Sequence, residues 1–197
     1  MTMRLEPVTL AGRSVRLEPL AEAHMGSLAR HGGDAELWRY MKHARPAPAD
    51  SVRAWAGAVR AAQTRGDGLA WAIVDDASGE AVGGTTFMEV APADKRLEIG
   101  NTWLGKAAWR TAINTETKLL LLTHAFETLG CNRVQLKTDA RNVRSQAAIA
   151  RLGAVREGVL RGHMAMPDGF VRDTVMFSIV APEWPAVKLR LRGFLAR

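Results

Sequence analysis

The apolar positions change period several times along the chain. Val15-Arg-Leu-Glu-Pro-Leu20 alternates and predicts an edge-like strand within Val8–Leu20. Helical spacing follows at about Ala21–Arg30 and Pro48–Ala62, where Val52, Trp55, Ala56 and Val59 share one stripe. Leu69–Val74 and Ala81–Val90 read as a hairpin across Asp76-Ala-Ser-Gly79, and Arg96–Leu104 as a further strand. A long helix spans about Asn114 to Leu129 and stops at Gly130. Val134, Leu136 and Thr138 alternate with Arg133, Gln135 and Lys137, the pattern of a half-buried strand. Asn142–Leu152 is a short helix closed by Gly153, with Ser145, Ala148, Ile149 and Leu152 on one face. Strands at about Val155–Leu160 and Phe170–Val180 flank Pro167-Asp-Gly169, and residues 182–197 form a short basic amphipathic tail. The order β, αα, βββ, α, β, α, ββ predicts one mixed α/β domain over 1–197, a largely antiparallel twisted sheet flanked by helices.

Length and composition agree: 197 residues, 47% of them apolar, suit one domain with a sizeable core. Cys131 is the only cysteine, so neither a disulfide framework nor a Cys-based zinc site can form. With no signal peptide or membrane span in the pattern, a cytoplasmic protein is expected, a monomer or a homodimer. Twenty-seven basic against twenty acidic residues leave a net charge of +7. That excess favours anionic ligands. The basic residues are dispersed and not interleaved with aromatics, so nucleic-acid binding is not expected.

Several motifs fail. Gly100-Asn-Thr-Trp-Leu-Gly-Lys106 approaches a P-loop but lacks the Ser or Thr that would hold magnesium. Gly83-Gly84 carries no dinucleotide fingerprint. His24, His31, His43, His124 and His163 show no metal-ligand spacing, and no Gly-x-Ser-x-Gly elbow is present. What remains is strand Leu97–Leu104, turn Gly105–Thr111 and a helix opening at Ala112-Ile-Asn-Thr. A helix start presents unpaired N–H groups and the positive end of its dipole, suited to a pyrophosphate. Further on, Asn142 is a natural N-cap and Ser145 sits one turn later on the inward face.

In this order these segments resemble the GNAT N-acetyltransferases, and among them the branch that acetylates the N-termini of ribosomal proteins. The resemblance rests on L-E-I-G-N-T-W-L-G, on N-V-R-S-Q-A-A-I-A-R-L-G-A followed by E-G-V-L-R, and on P-D-G-x-x-R-D-T-V-x-F-S-I. It covers nearly the whole chain and is strongest over Leu97–Val180. It implies a ternary complex in which acetyl-CoA is the co-substrate. Trp103, Leu104, Arg110, Thr111, Ala112, Ile113, Asn114, Thr115, Asn142 and Ser145 would lie along the coenzyme, with the amide of Leu104 or a neighbour polarising the carbonyl. Where the family carries Gln/Arg-x-x-Gly-x-Gly/Ala, this chain has Trp109, Ala112 and Asn114. Tyr40, its only tyrosine, lies far upstream in a region that reads as helical, which leaves the family's tyrosine acid without a counterpart.

The acceptor is expected to be a primary amine, a protein N-terminus or a small molecule. Ser145 is the candidate partner for the departing sulfur. Glu98, His163 and Asp173 compete as the base: Glu98 opposite in phase to Leu97 and Ile99, His163 titrating in a useful range, and Asp173 sharing a strand face with Val171, Val175 and Phe177. A water-mediated route without a dedicated base stays open. The alternative function is an acyl-CoA-binding sensor or scaffold without turnover.

Overall fold

A computed structural model describes residues 3–196. Eight strands form one sheet: β1 (Leu10–Ala11), β2 (Val15–Pro19), β3 (Leu69–Asp75), β4 (Ala81–Ala91), β5 (Arg96–Leu104), β6 (Arg133–Asp139), β7 (Val155–Ala165) and β8 (Val171–Val180). Their spatial order is β1-β2-β3-β4-β5-β6-β8-β7. Every neighbouring pair is antiparallel except β5 with β6. The largely antiparallel sheet expected from the pattern is present.

Period 2 decides what each face packs. Leu69, Trp71 and Ile73 of β3 join a core closed by α3 (Ala112–Thr123), α4 (Val143–Leu152) and α5 (Trp184–Leu195). Ala70, Ala72 and Val74 join the opposite core, closed by α1 (Met25–His31) and α2 (Pro48–Thr64). The Val52/Trp55/Ala56/Val59 stripe is buried there. Gly84 lies beneath Trp55, whose ring a Cβ would meet at 2.1 Å, so the helix seats closely only because the side chain is missing.

Four expectations need correction. The first strand is a hairpin, because α3 clasps its turn: Glu116 Oε1 accepts from the Arg13 amide (2.6 Å) and Oε2 from the Ser14 amide (2.9 Å). The stretch from Ala21 opens as a 3₁₀ turn, Glu22–His24, before α1 begins at Met25. The strand expected to end at Leu160 continues to Ala165 through a bulge opposite β8. The tail is a core helix: Trp184, Val187 and Leu191 of α5 are buried, and the Trp184 indole donates to Glu127 (2.7 Å). Spacing of three and four residues hid this within a basic segment. The long helix ends in a π turn, His124–Thr128, ahead of Gly130 at φ +65°.

The feature that positions chemistry is a fork. β5 pairs with β6 over three positions only, Arg96–Arg133, Leu97–Val134 and Glu98–Gln135. Beyond Glu98, β5 follows β4 and β6 follows β8. Asn101, at φ +50°, marks an irregularity where β5 shifts register against β4.

Candidate active site

Glu98 stands where the fork opens. Its side chain is 1% exposed and lies on the face opposite Leu97 and Ile99. Oε2 accepts from Gln135 Nε2 (2.9 Å) and pairs with Lys137 Nζ (3.0 Å). Burial pushes the carboxyl above its ordinary range, against the pull of Lys137 and Gln135. Gly100 makes room for it, since a Cβ there would sit 2.8 Å from Oε1. Strand alternation puts Gln135 and Lys137 of β6, and Arg172 and Thr174 of β8, on the same face.

His163 joins them. Its Nδ1 lies 3.1 Å from Thr174 Oγ1, and burial together with Lys137, Arg172 and Lys42 lowers its imidazole pKa. Arg172, 6% exposed, donates through Nε to Thr174 Oγ1 (3.0 Å) and through Nη1 to the Tyr40 carbonyl (3.2 Å). Asp173 is not part of this group. It is exposed, as is Val171, so the apolar setting expected for it is absent. Its Oδ1 accepts from the Gly162 amide (2.7 Å) in the β7 bulge, and alternation directs it to the face opposite Arg172.

Three groups on this face escaped the sequence reading. Lys137 was taken only as the polar half of a strand alternation. Nothing local to the β8 sequence marks Arg172 for this site. His43 lies in the α1–α2 connection near the Asn101 side chain and is held below its ordinary range by burial. The Asn101 carbonyl accepts from Trp55 Nε1 (3.0 Å). Tyr40 is in the same connection, in a turn and not a helix, which brings it to Arg172 from far upstream. No local pattern could have joined these segments; the fold joins them.

The opposite side of the fork is the start of α3. Arg110, Thr111 and Ala112 are exposed, and Arg110 adopts φ +61°. Thr111, not Asn114, caps the helix, its Oγ1 accepting from the Ile113 amide (3.3 Å). The Ala112 methyl therefore lies on an open surface. Ile113 is buried, and Thr115 accepts from Arg151 of α4 (2.7 Å). Trp109 anchors this loop by donating to the Leu104 carbonyl (2.7 Å). The Arg144 guanidinium stacks 3.7 Å above its ring, with Lys106 Nζ at 5.8 Å. The residue in place of the family's Gln or Arg thus gathers cations beside the helix start, although Lys106 also pairs with Asp34 (2.7 Å) and Glu36 (2.9 Å) and Arg144 with Glu36 (3.5 Å), contacts that a phosphate would displace. That arrangement suits a pyrophosphate, so the residues present fit the coenzyme.

The other expected coenzyme contacts divide. The Trp103 ring turns away into the α1–α2 core against Trp38 (5.1 Å) and Trp55 (5.7 Å), so its side chain is not beside the helix start. Its buried Nε1 has no partner. Leu104 packs its side chain into the opposite core. Asn142 caps α4 by accepting from the Ser145 amide (3.0 Å), and Ser145 is half-buried. Behind β5, Lys118 of α3 is buried without a carboxylate and donates to Thr102 Oγ1 (2.9 Å), itself 2.7 Å from Thr85 Oγ1. Burial pushes this ammonium down to about 7. A hollow of about 820 Å³ lies elsewhere, against Met3, Leu20, Arg60 and Val90, and contains none of these groups.

The fold and the sequence are both similar to those of known acetyltransferases. The acetyltransferase (GNAT) domain family matches residues 14–155. The structure of a GCN5-related N-acetyltransferase from Brucella melitensis superposes with a TM-score of 0.89 at 30% identity, covering 99% of this chain and 89% of that one. Mycobacterium smegmatis RimJ in complex with CoA-disulfide gives 0.79 at 25% identity, covering 95% and 94%. The Bacillus subtilis (strain 168) N-acetyltransferase YoaA, itself uncharacterized, is 30% identical over 115 residues, 58% of this chain and 64% of YoaA. The chain spans just under two thirds of that relative's length. No helix among the described residues is long and apolar enough to cross a membrane, and no metal-binding cluster of His, Cys, Asp or Glu is found among them. By fold and by sequence, the chain belongs to the GNAT acetyltransferases, the acetyl-CoA-dependent N-acetyltransferases.

Proposed function

We propose that this protein moves an acetyl group to a primary amine by direct attack in a ternary complex, with the acceptor on the Glu98 face of the fork. The observation that carries this reading is Glu98 itself: a buried carboxylate of raised pKa at the point where β5 leaves β6. Acetyl-CoA supplies the acetyl group as a thioester. The α3 start, Arg144 and Lys106 hold its phosphates, and Asn142 and Ser145 border its pantetheine end. The acceptor nitrogen forms the new C–N bond as the C–S bond breaks, Glu98 takes the amine proton, and the departing thiolate acquires one. Lys137 opposes the burial that raises the Glu98 pKa, while Gln135 orients the carboxyl. A protein N-terminus is the first acceptor to try, on the resemblance of the motifs to the branch that acetylates ribosomal proteins and on the likeness to the putative ribosomal N-acetyltransferase YdaF.

Thiol release from acetyl-CoA, measured across small amines and N-terminal peptides, tests the reading. Turnover with at least one amine, lost in Glu98→Gln, is the expected result. Binding of acetyl-CoA without thiol release for any amine would return the sensor alternative.

A further inference from the structure

The amine acceptor should meet carboxylates, yet those on this face are largely answered already. Glu98 is paired with Lys137. Asp139, beside Arg172, is turned to Arg141, which donates from Nε (3.0 Å) and Nη2 (2.7 Å). Glu89, exposed at the end of β4, is the remaining carboxylate near Glu98 and His163. Against it stand two cations that form no ion pair among the described residues, Arg172 and Lys42.

Arg172 is the unusual one. A guanidinium carries five N–H donors, and burying it without a carboxylate is costly unless something answers the charge. Here the side chain is 6% exposed, and its protein acceptors are a hydroxyl and a carbonyl, Thr174 Oγ1 and Tyr40 O. Both are neutral. They fix the fork of the guanidinium in place without pairing its charge, which only the more distant Asp139 and Glu98 carboxylates offset in part. Lys42 lies on the exposed connection beside Tyr40, and its charge, with those of Arg172 and Lys137, reaches His163. The acceptor face is therefore cationic at one end and carries the Glu98 carboxylate at the other.

We propose that the acceptor bears an oxyanion close to its reactive amine, and that Arg172, with Lys42, receives it while the amine is directed to Glu98. This rests on the acetyl-transfer reading and narrows its substrate class. A planar guanidinium held by two neutral acceptors matches a carboxylate or phosphate geometrically. A charge buried in advance also rejects competitors, since a basic or neutral neighbour to the amine would leave Arg172 unanswered.

The test compares two pairs of acceptors by thiol release with acetyl-CoA at low salt. The first pair is peptides differing only in aspartate or asparagine at the second and third positions. The second is a free α-amino acid and its amide. The acidic member of at least one pair is expected to show kcat/KM about tenfold or more above its neutral counterpart. Preference in one pair alone identifies the carrier of the anion as peptide or small molecule. Arg172→Gln should bring that ratio close to one, Arg172→Lys should retain part of it, and Lys42→Ala, on an exposed turn where folding is undisturbed, should lower it. Equal kcat/KM within both pairs overturns the inference and leaves acetyl transfer standing. So does an undiminished ratio in Lys42→Ala together with a folded Arg172→Gln. Absence of thiol release with every acceptor overturns both readings together.

Discussion

The two faces of β5 bury ionisable groups in opposite ways. Toward the α1–α2 connection, Glu98 is buried with Lys137 at 3.0 Å and Gln135 at 2.9 Å, within a field of further cations. Toward α3, Lys118 is buried with a single hydroxyl partner at 2.9 Å and no counter-charge. Burial pushes both groups toward their neutral forms; in the first a paired cation pulls the carboxylate back toward its charged form, while in the second no charge among the described residues opposes the shift. Alternate positions of one strand thus separate a face equipped for proton transfer from one where an amine is tolerated as a packing element. The splay of β5 from β6 makes the first face accessible, while α3 seals the second.

The sharpest way to break this comparison is Glu98→Gln. Loss of a positioned base lowers kcat/KM by about a hundredfold or more. In the parent enzyme the rate should climb as pH rises through the raised Glu98 pKa, and that limb should vanish in the variant. A pH–rate profile in which the limb survives would transfer the role of base to His163 or His43.

On the sealed face the readout is stability. Lys118 keeps its proton up to about 7 when folded and up to its ordinary 10.5 when exposed. Below pH 7 both states are protonated and the burial penalty is complete. Between about 7 and 10.5 the folded state has released the proton that the unfolded state still holds, so stability rises with pH. Lys118→Met should therefore stabilise the fold most at or below pH 7, by roughly a few kcal/mol and with a raised melting temperature, the gap narrowing toward pH 10. Thermal melts at several pH values decide this, and a constant gap would mean that Lys118 is not the group titrating.

Smaller effects test the coenzyme side. Trp109→Ala removes the ring that carries Arg144 and should weaken CoA binding several-fold, corresponding to about 1 kcal/mol for a partly exposed cation–π contact, as measured by calorimetry. Ser145→Ala should be milder still and lower kcat more than coenzyme affinity, the mark of a contact made mainly in the transition state. Unchanged turnover in that variant would remove Ser145 from the chemistry.

Much of this was legible in the order of the residues. Period 2 in β3 and β6, the stripe on α2, the glycine stops at Gly130 and Gly153 and the cap at Asn142 are local relations between neighbours, and they survive folding because each depends on a few adjacent torsions. Glu98 was legible too, because its phase against Leu97 and Ile99 is a local fact. Asp173 misled for a related reason: its phase with Val175 and Phe177 was read correctly, but burial along a strand depends on what covers it, and nothing covers the β8 end at Val171 and Asp173. The α5 helix was missed because basic residues between Trp184, Val187 and Leu191 obscured a stripe that matters only once α3 lies against it.

By itself, then, the sequence determined the elements, the mixed α/β class and the strand that carries Glu98. Only the tertiary structure decided that β5 and β6 part after three residue pairs, that the α1–α2 connection brings Tyr40, Lys42 and His43 to β8 and the Asn101 irregularity, and that Arg172 is buried without an ion pair among the described residues. Those are long-range outcomes. They depend on sheet twist, on a register shift and on charges separated by more than a hundred residues along the chain, as Arg172 is from Tyr40 (132 positions), and no local pattern encodes such distances.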